Sequence, residues 1–577
     1  MKLIKLLFIS ASLAVTLSGC FEDKGNYDYK DLTRIDMAPS GSTYTVPIRG
    51  TLKITPDYTF SKEDSNKDLS YLWTLDGEVI STDPVLEWVA DRYTEKNTYN
   101  LLLEITDNKT DIVYRCVYGV SVLEPYDGIG FFLLSQKDGK RCAHMIKEDF
   151  DEEGYRYYNV LTNIYSLENE GATLPSNAFK LYEHYALEKT MGSSSKKVIN
   201  QFMFVSPDQV TEVKPGSFKD VNTKPTDLFG GGYPGGLKIA DVHFMQFLDM
   251  ITDEEGRLYT RIKTTNEFFH VDEFLPTPTS FDGEELRGIE LIPSALPAQH
   301  CLLYDKNKKR LLIIWDFKDY NGKYSVGKIE NVNSSLKTAN VSWPQNTPTI
   351  EEAFANYEVI HLSSFRTEFS TWGEGAKTYY FSVLKDPETG KLYHYQFALE
   401  QDYNSAIMHL ASTSDGKMVD VEYVELSAEA AALFDNPQNV IFTLPTNYLG
   451  YGYNGYLTLI GQGNSLYVYN RIAATTNAKA SVAADESDDD DPSQKELTVR
   501  LLCTFDSEIA CMASTHASNY WGEILGVALK NGSVEVLSVK NAQYTIWNGR
   551  IWKSEGVDLG EPVSLIYSVG NPGVDWN

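Results

Sequence analysis

The sequence predicts an all-β chain: a small immunoglobulin-like β-sandwich near the N-terminus, followed by a β-propeller of seven blades. Three observations lead there. The 577 residues include 37 Tyr and 26 Phe against 10 Met, with 40 Gly and 22 Pro, a composition that favours strands and turns over helices. Two long alternating segments, one carrying a tryptophan, lie within residues 46–124. Beyond residue 125 an aromatic-rich strand–turn–strand pattern keeps returning. A chain of this length exceeds one hydrophobic core, so at least two domains are expected.

The first element is a secretory signal, residues 1–19. Lys2 and Lys5 form a basic start, Leu6 to Leu17 an apolar stretch, and Ser18-Gly19 supply small residues before Cys20. The apolar stretch is too short to span a hydrocarbon core of ~30 Å. Cleavage before Cys20 and acylation of its thiol would hold the mature chain at a membrane, stably if several acyl chains are attached. Ordinary cleavage leaving a free cysteine is the alternative. Residues 20–45 are polar and mixed, and read as a lipidated tether.

Residues 46–124 read as the sandwich. In "YLWTLDGEVI", Tyr71, Trp73 and Leu75 fall on one face before a turn at Asp76-Gly77. In "YNLLLEITDNKTDIVYRCVYGVSV", Leu101, Leu103 and Ile105 share a face, and the chain turns at Asp107-Asn108 and returns through Val113 to Val122. A buried Trp on a middle strand with two long final strands is an immunoglobulin-like pattern.

From 125 to 577 the hairpins are "FFLLSQKDGKRCAHMI" (131–146), "INQFMFVSPDQVTEVK" (199–214), "FLDMITDEEGRLYTRIK" (247–263), "HCLLYDKNKKRLLIIWDF" (300–317), "YYFSVLKDPETGKLYHYQF" (379–397), "YLTLIGQGNSLYVYN" (456–470) and "ILGVALKNGSVEVLSVK" (524–540). Turns of this kind suit Gly or Asn at positive φ, with Asn307 taking that place in the fourth. Repetition at intervals of tens of residues predicts propeller blades; a pair of β-sandwiches is the rival. Thr349 with Glu352, and Ser427, are caps for two short helices inserted between blades. Residues 473–495 are acidic, low in complexity and without aromatics, and read as a disordered loop.

Charge and motifs narrow the chemistry. Removing Lys2 and Lys5 takes the net charge from −29 to −31, which argues against nucleic acid and anionic lipid headgroups as partners. Cys116, Cys142, Cys301, Cys503 and Cys511 are odd in number and widely spaced, so they predict buried thiols rather than a disulfide scaffold or zinc site, although Cys503 and Cys511 could bridge neighbouring strands. The nine histidines are isolated; His300 and His516 read as structural. No metal, nucleotide or nucleophile-elbow motif appears, so no cofactor, metal or catalytic residue is assigned. "FGGGYPGG" (229–236) lacks the Lys-Ser/Thr of a phosphate cradle and reads as a flexible rim loop. "DESDDDD" (485–491) lacks the spacing of a calcium loop.

The candidate ligand- or partner-binding residues are Tyr448, Tyr451, Tyr453 and Tyr456 in "TNYLGYGYNGY", with Trp372 in "FSTWGEGAK". Tyrosines on polar loops stack on sugars or peptides at low entropic cost. The competing reading packs them between sheets.

The YxWxxDG and YxLxLxxTD strands resemble those of PKD domains. With Cys20, the following Glu22-Asp23 and the "GNYDY" of 25–29, the N-terminal part is similar to PKD-like surface lipoproteins of Bacteroidota. The resemblance implies an outer-membrane lipoprotein facing the cell exterior, encoded beside a SusC/SusD-type transporter pair and helping to capture glycan or peptide fragments. It carries over no catalytic residue. A surface glycosidase or lyase, and a purely structural subunit of the import complex, remain the rival functions.

Overall fold

A computed structural model describes residues 34–37, 41–62, 68–92, 98–126, 128–151, 153–189, 196–214, 216–221, 228–245, 247–262, 273–293, 299–318, 323–338, 341–365, 377–402, 405–411, 421–444, 457–471, 498–514, 524–539, 542 and 547–568. The chain is all-β, with two compact units, 1–124 and 125–577.

In the first unit a five-stranded sheet runs in the order Thr43–Pro47, Ile112–Leu123, Tyr99–Asp107, Leu69–Leu75, Glu78–Ser81. Its first pair is parallel and the rest antiparallel. Two short ladders, Ile35–Met37 with Tyr58–Phe60 and Thr51–Ile54 with Leu86–Val89, carry Ile35, Leu52, Ile54 and Leu86 into the same core. Period-two alternation does the sorting: Trp73, Leu101, Leu103 and Ile105 are fully buried. Trp73 stacks on Tyr118 with ring centroids 6.1 Å apart and donates from Nε1 to Asp83 O at 2.9 Å. Asp76 and Gly77 both adopt positive φ, the geometry of a two-residue hairpin turn. Among the described residues ahead of position 46, Ile35 already lies in the core of the sandwich. Short strands in a polar stretch give too weak a pattern to be seen locally.

Among the described residues of the second unit, seven sheets of three or more strands follow one another, each with its own antiparallel hairpin. The first comprises Gly130–Lys137, Lys140–Phe150 and Arg156–Leu161, joined by the C-terminal strand Glu561–Ser568. The second holds Lys180–Lys189, Lys196–Ser206 and Gln209–Val213; the third holds Ile239–Phe244, Leu248–Asp253 and Leu258–Ile262. The fourth holds Ile289–Ile292, His300–Asp305, Arg310–Lys318 and Tyr324–Val332. The fifth holds Glu358–Phe365, Lys377–Lys385, Leu392–Gln401, Met408–Leu410 and Glu422–Glu425. The sixth holds Val440–Thr443, Leu457–Gln462, Ser465–Asn470 and Val499–Thr504; the seventh holds Ile509–Ser514, Ile524–Leu529, Val534–Ser538 and Arg550–Lys553. In the fourth hairpin positive φ falls on Lys309, not Asn307, because the turn closes one residue before Arg310 pairs with Asp305.

Successive sheets share apolar cores. Phe132 meets Phe202 between the first and second, Tyr380 and Phe397 meet Trp315 and Ile313 between fourth and fifth, and Ile524 and Val536 of the seventh meet Phe131 and Leu133 of the first. The helix Ile350–Asn356 has the expected capping box, Thr349 with Glu352, and Ser427 caps Ala428–Phe434 through Ala430 N at 3.2 Å.

Candidate functional site

The fifth and sixth sheets meet through a polar cluster at the ends of Glu358–Phe365 and Val440–Thr443. Alternation sets His361, Ser363 and Phe365 on one face of their strand, after an irregularity between Val359 and His361. His361 Nε2 lies 3.0 Å from Ser363 Oγ and 3.1 Å from Thr443 Oγ1. Ser363 donates to Thr443 at 2.8 Å, and Thr443 stands 3.3 Å from Thr458. Arg471, 1% exposed, donates from Nη1 to Thr458 at 2.7 Å. Its guanidinium carbon sits 4.0 Å from the Phe365 ring centroid and 5.2 Å from that of Phe381, close enough for a desolvated cation–π contact. His394, fully buried, places Nδ1 3.0 Å from the Tyr469 hydroxyl.

Burial, and then the Arg471 charge, push His361 down to about 4 and His394 down to about 3. Both are neutral at pH 7. A histidine of such low basicity is a poor general base for Ser363. The second Ser–His contact, Ser135 Oγ with His144 Nε2 at 3.0 Å, is wholly buried, and burial pushes His144 down to about 4. The hydrogen bonds of the cluster tie two sheets together at the ends of strands.

Those ends matter because three connections leave the sheets there. Residues 366–376 come after Phe365, residues 445–456 after Leu444, and residues 472–497 after Arg471. Trp372, Tyr448, Tyr451, Tyr453 and Tyr456 lie outside the described residues, as do Cys20, His516 and the acidic stretch 473–495. The described roots of all three connections are joined through Arg471, Phe365, Thr443 and Thr458. Sequence reasoning missed these residues. The only local signal is a lone Arg directly after an aromatic strand, and nothing in it names the partner sheet.

In "FGGGYPGG", Phe229 is buried edge-to-face on Tyr233 and Tyr259, and Tyr233 donates to Pro207 O at 3.3 Å, while Gly231, Gly232, Gly235 and Gly236 stay exposed. Cys142, Cys301, Cys503 and Cys511 are free thiols, so Cys503 and Cys511 do not bridge. His300 is buried with Nε2 3.1 Å from the Tyr380 hydroxyl. Among the described residues no group of three or more His, Cys, Asp or Glu could hold a metal ion, and no helix is long and apolar enough to cross a membrane.

Residues 20–177 match the PKD-like family. No curated protein matches. Solved structures similar to the chain include a quinonprotein alcohol dehydrogenase-like protein of Bacteroides thetaiotaomicron, at 10% identity and TM-score 0.27 over 92% of this chain and 94% of that one. They also include AztD of Citrobacter koseri, at 9% identity and TM-score 0.30 over 87% and 98%, and the computationally designed Ika8, at 10% and 0.29 over 76% and 90%. Overlap at this level assigns neither an activity nor a blade count.

Proposed function

We propose that the chain is a non-catalytic surface lipoprotein of the outer membrane, anchored through Cys20, with its second unit folded as a seven-bladed β-propeller. It serves a SusC/SusD-type importer by binding glycan or peptide ligands, the transporter, or both. In support of the propeller, each of seven successive sheets packs on the next, the seventh packs on the first, and Glu561–Ser568 pairs with Gly130–Lys137. In support of the anchor, the PKD-like match begins at Cys20 itself.

The observation that carries the binding reading is the Ser363–Thr443 hydrogen bond. It joins the two strand ends that precede the Trp372 segment and the Tyr448–Tyr456 segment in the chain. Gentle detergent purification of the native protein tests the reading. Co-purification of a SusC/SusD pair, together with ligand binding that Tyr451→Ala and Tyr453→Ala abolish in a folded chain, is expected. Polysaccharide turnover abolished by one carboxylate substitution would replace it with the enzyme reading. Co-purification with silence in every glycan and peptide assay would leave a structural subunit. Loss of membrane association on Cys20→Ala checks the anchor.

A further inference from the structure

We infer that the outer hairpin of the first sheet carries a saccharide-binding strip made of Tyr155, Tyr157, Asp149 and Asn159. Asp149 pairs with Tyr157 across the strands, and Lys147 with Asn159. Tyr158 and Glu148 turn their side chains into the core, so alternation sends Tyr157, Asn159 and Asp149 to the opposite face. Tyr157 is 43% exposed and Tyr155 is 68% exposed, the highest value among the described large apolar and aromatic side chains left at the surface. Asp151 Oδ1 accepts from Glu153 N at 3.0 Å and Tyr155 N at 2.7 Å, while Asp151 N donates to Tyr155 O at 3.0 Å. The turn that presents Tyr155 is therefore pinned at both ends.

Asn159 Nδ2 donates to Asp149 Oδ2 at 3.1 Å, which orients a carboxylate and an amide side by side next to Tyr157. That is the chemistry a sugar needs. Aromatic faces take the C–H side of a pyranose ring, and a carboxylate beside an amide accepts from and donates to neighbouring hydroxyls. Tyr155 immediately precedes the strand Arg156–Leu161 and stands two residues from Tyr157, at most about 7 Å along an extended chain, so both rings are within reach of one oligosaccharide. Single exposed aromatics are ordinary; two in succession beside an oriented polar pair are a site. The net charge of −29 disfavours an anionic polymer, and an apolar protein face would desolvate Asp149 and Asn159, so the occupant is a neutral saccharide.

The strip shares no residue with the loops of the proposed function and stands or falls separately. The test is affinity electrophoresis of the purified mature chain through gels containing starch, mannan, xylan or mixed-linkage β-glucan. At least one polysaccharide is expected to retard the protein. The affinity should fall about tenfold or more in Tyr155→Ala/Tyr157→Ala and be kept in Tyr157→Trp. No retardation in any gel, or equal retardation of the folded double variant, overturns the strip. Loss in Tyr451→Ala/Tyr453→Ala with the Tyr155/Tyr157 variant unchanged also overturns it, and leaves the loop reading standing.

Discussion

Arg471 lies 4.0 Å from the centre of the Phe365 ring while its Nη1 donates to Thr458 at 2.7 Å. One side chain at the end of Ser465–Asn470 thereby clasps the last residue of Glu358–Phe365 in the preceding sheet. Arg471→Gln removes the cation from both rings, and Arg471→Lys keeps the charge but not the planar fork. Urea denaturation at pH 7 should show a loss of about 2–4 kcal/mol for the glutamine variant and less for the lysine variant. A glutamine variant as stable as the parent would show that the clasp contributes nothing.

Two buried histidines and the half-buried His361 make stability depend on pH. His144, His361 and His394 have folded values of about 4, 4 and 3, below the ordinary 6.5. The unfolded chain takes up these protons near 6.5 and the folded chain does not, so their contribution is full above 6.5 and is lost as pH falls toward 4. Between pH 7 and 5 each histidine should remove about 2 kcal/mol. Burial raises Glu148 and Asp220; these groups work in the other direction, losing stability as pH rises through their folded values, and they are fewer. Urea midpoints at the two pH values read the slope, and His394→Gln should flatten it by one proton. An unchanged slope in that variant would mean His394 is not buried neutral.

How much of the fold was legible depended on how local each signal was. The seven hairpins, Trp73 with its Asp76-Gly77 turn, and the Thr349–Glu352 capping box are each written within about twenty residues, where periodicity and turn chemistry act directly. The pairing of Gly130–Lys137 with Glu561–Ser568 joins opposite ends of the second unit, and no local pattern encodes it. Arg471 was illegible for the same reason: the Phe365 ring it covers belongs to a distant segment. The Ile35–Met37 strand is too short for alternation to register.

Gly526 tests the contact between the seventh and first sheets. Its backbone does not need glycine's conformational freedom, but a Cβ there would stand 2.4 Å from Cε1 of Phe131. The Phe131 ring also packs edge-to-face on Tyr567 with centroids 4.7 Å apart, so it has little room to retreat. Gly526→Ala should destabilise the second unit by about 1–3 kcal/mol through overpacking. Phe131→Leu frees that space, so the double variant should lose less than the sum of the two singles. Strict additivity in thermal or urea unfolding would show that the two residues do not meet.

The C-terminal strand should be indispensable to the second unit and irrelevant to the sandwich. Glu561–Ser568 covers one edge of Gly130–Lys137, and it supplies Leu565 and Tyr567 to the core around Phe131 and Leu133. Ser568 donates to Glu183 Oε1 at 2.6 Å and Ser564 Oγ accepts from Leu181 N at 3.1 Å, so the same strand also fixes the second sheet. Ending the chain after Gly560 exposes an unpaired strand edge and opens that core at once. Ending it after Ser568 removes none of these contacts. The longer truncation should abolish the cooperative unfolding transition of the second unit while the sandwich, with its own core around Trp73, keeps its own. The shorter one should unfold like the parent. A cooperative second-unit transition surviving the loss of 561–568, followed by calorimetry or by tryptophan fluorescence of Trp315 and Trp552, would refute the role given to this strand.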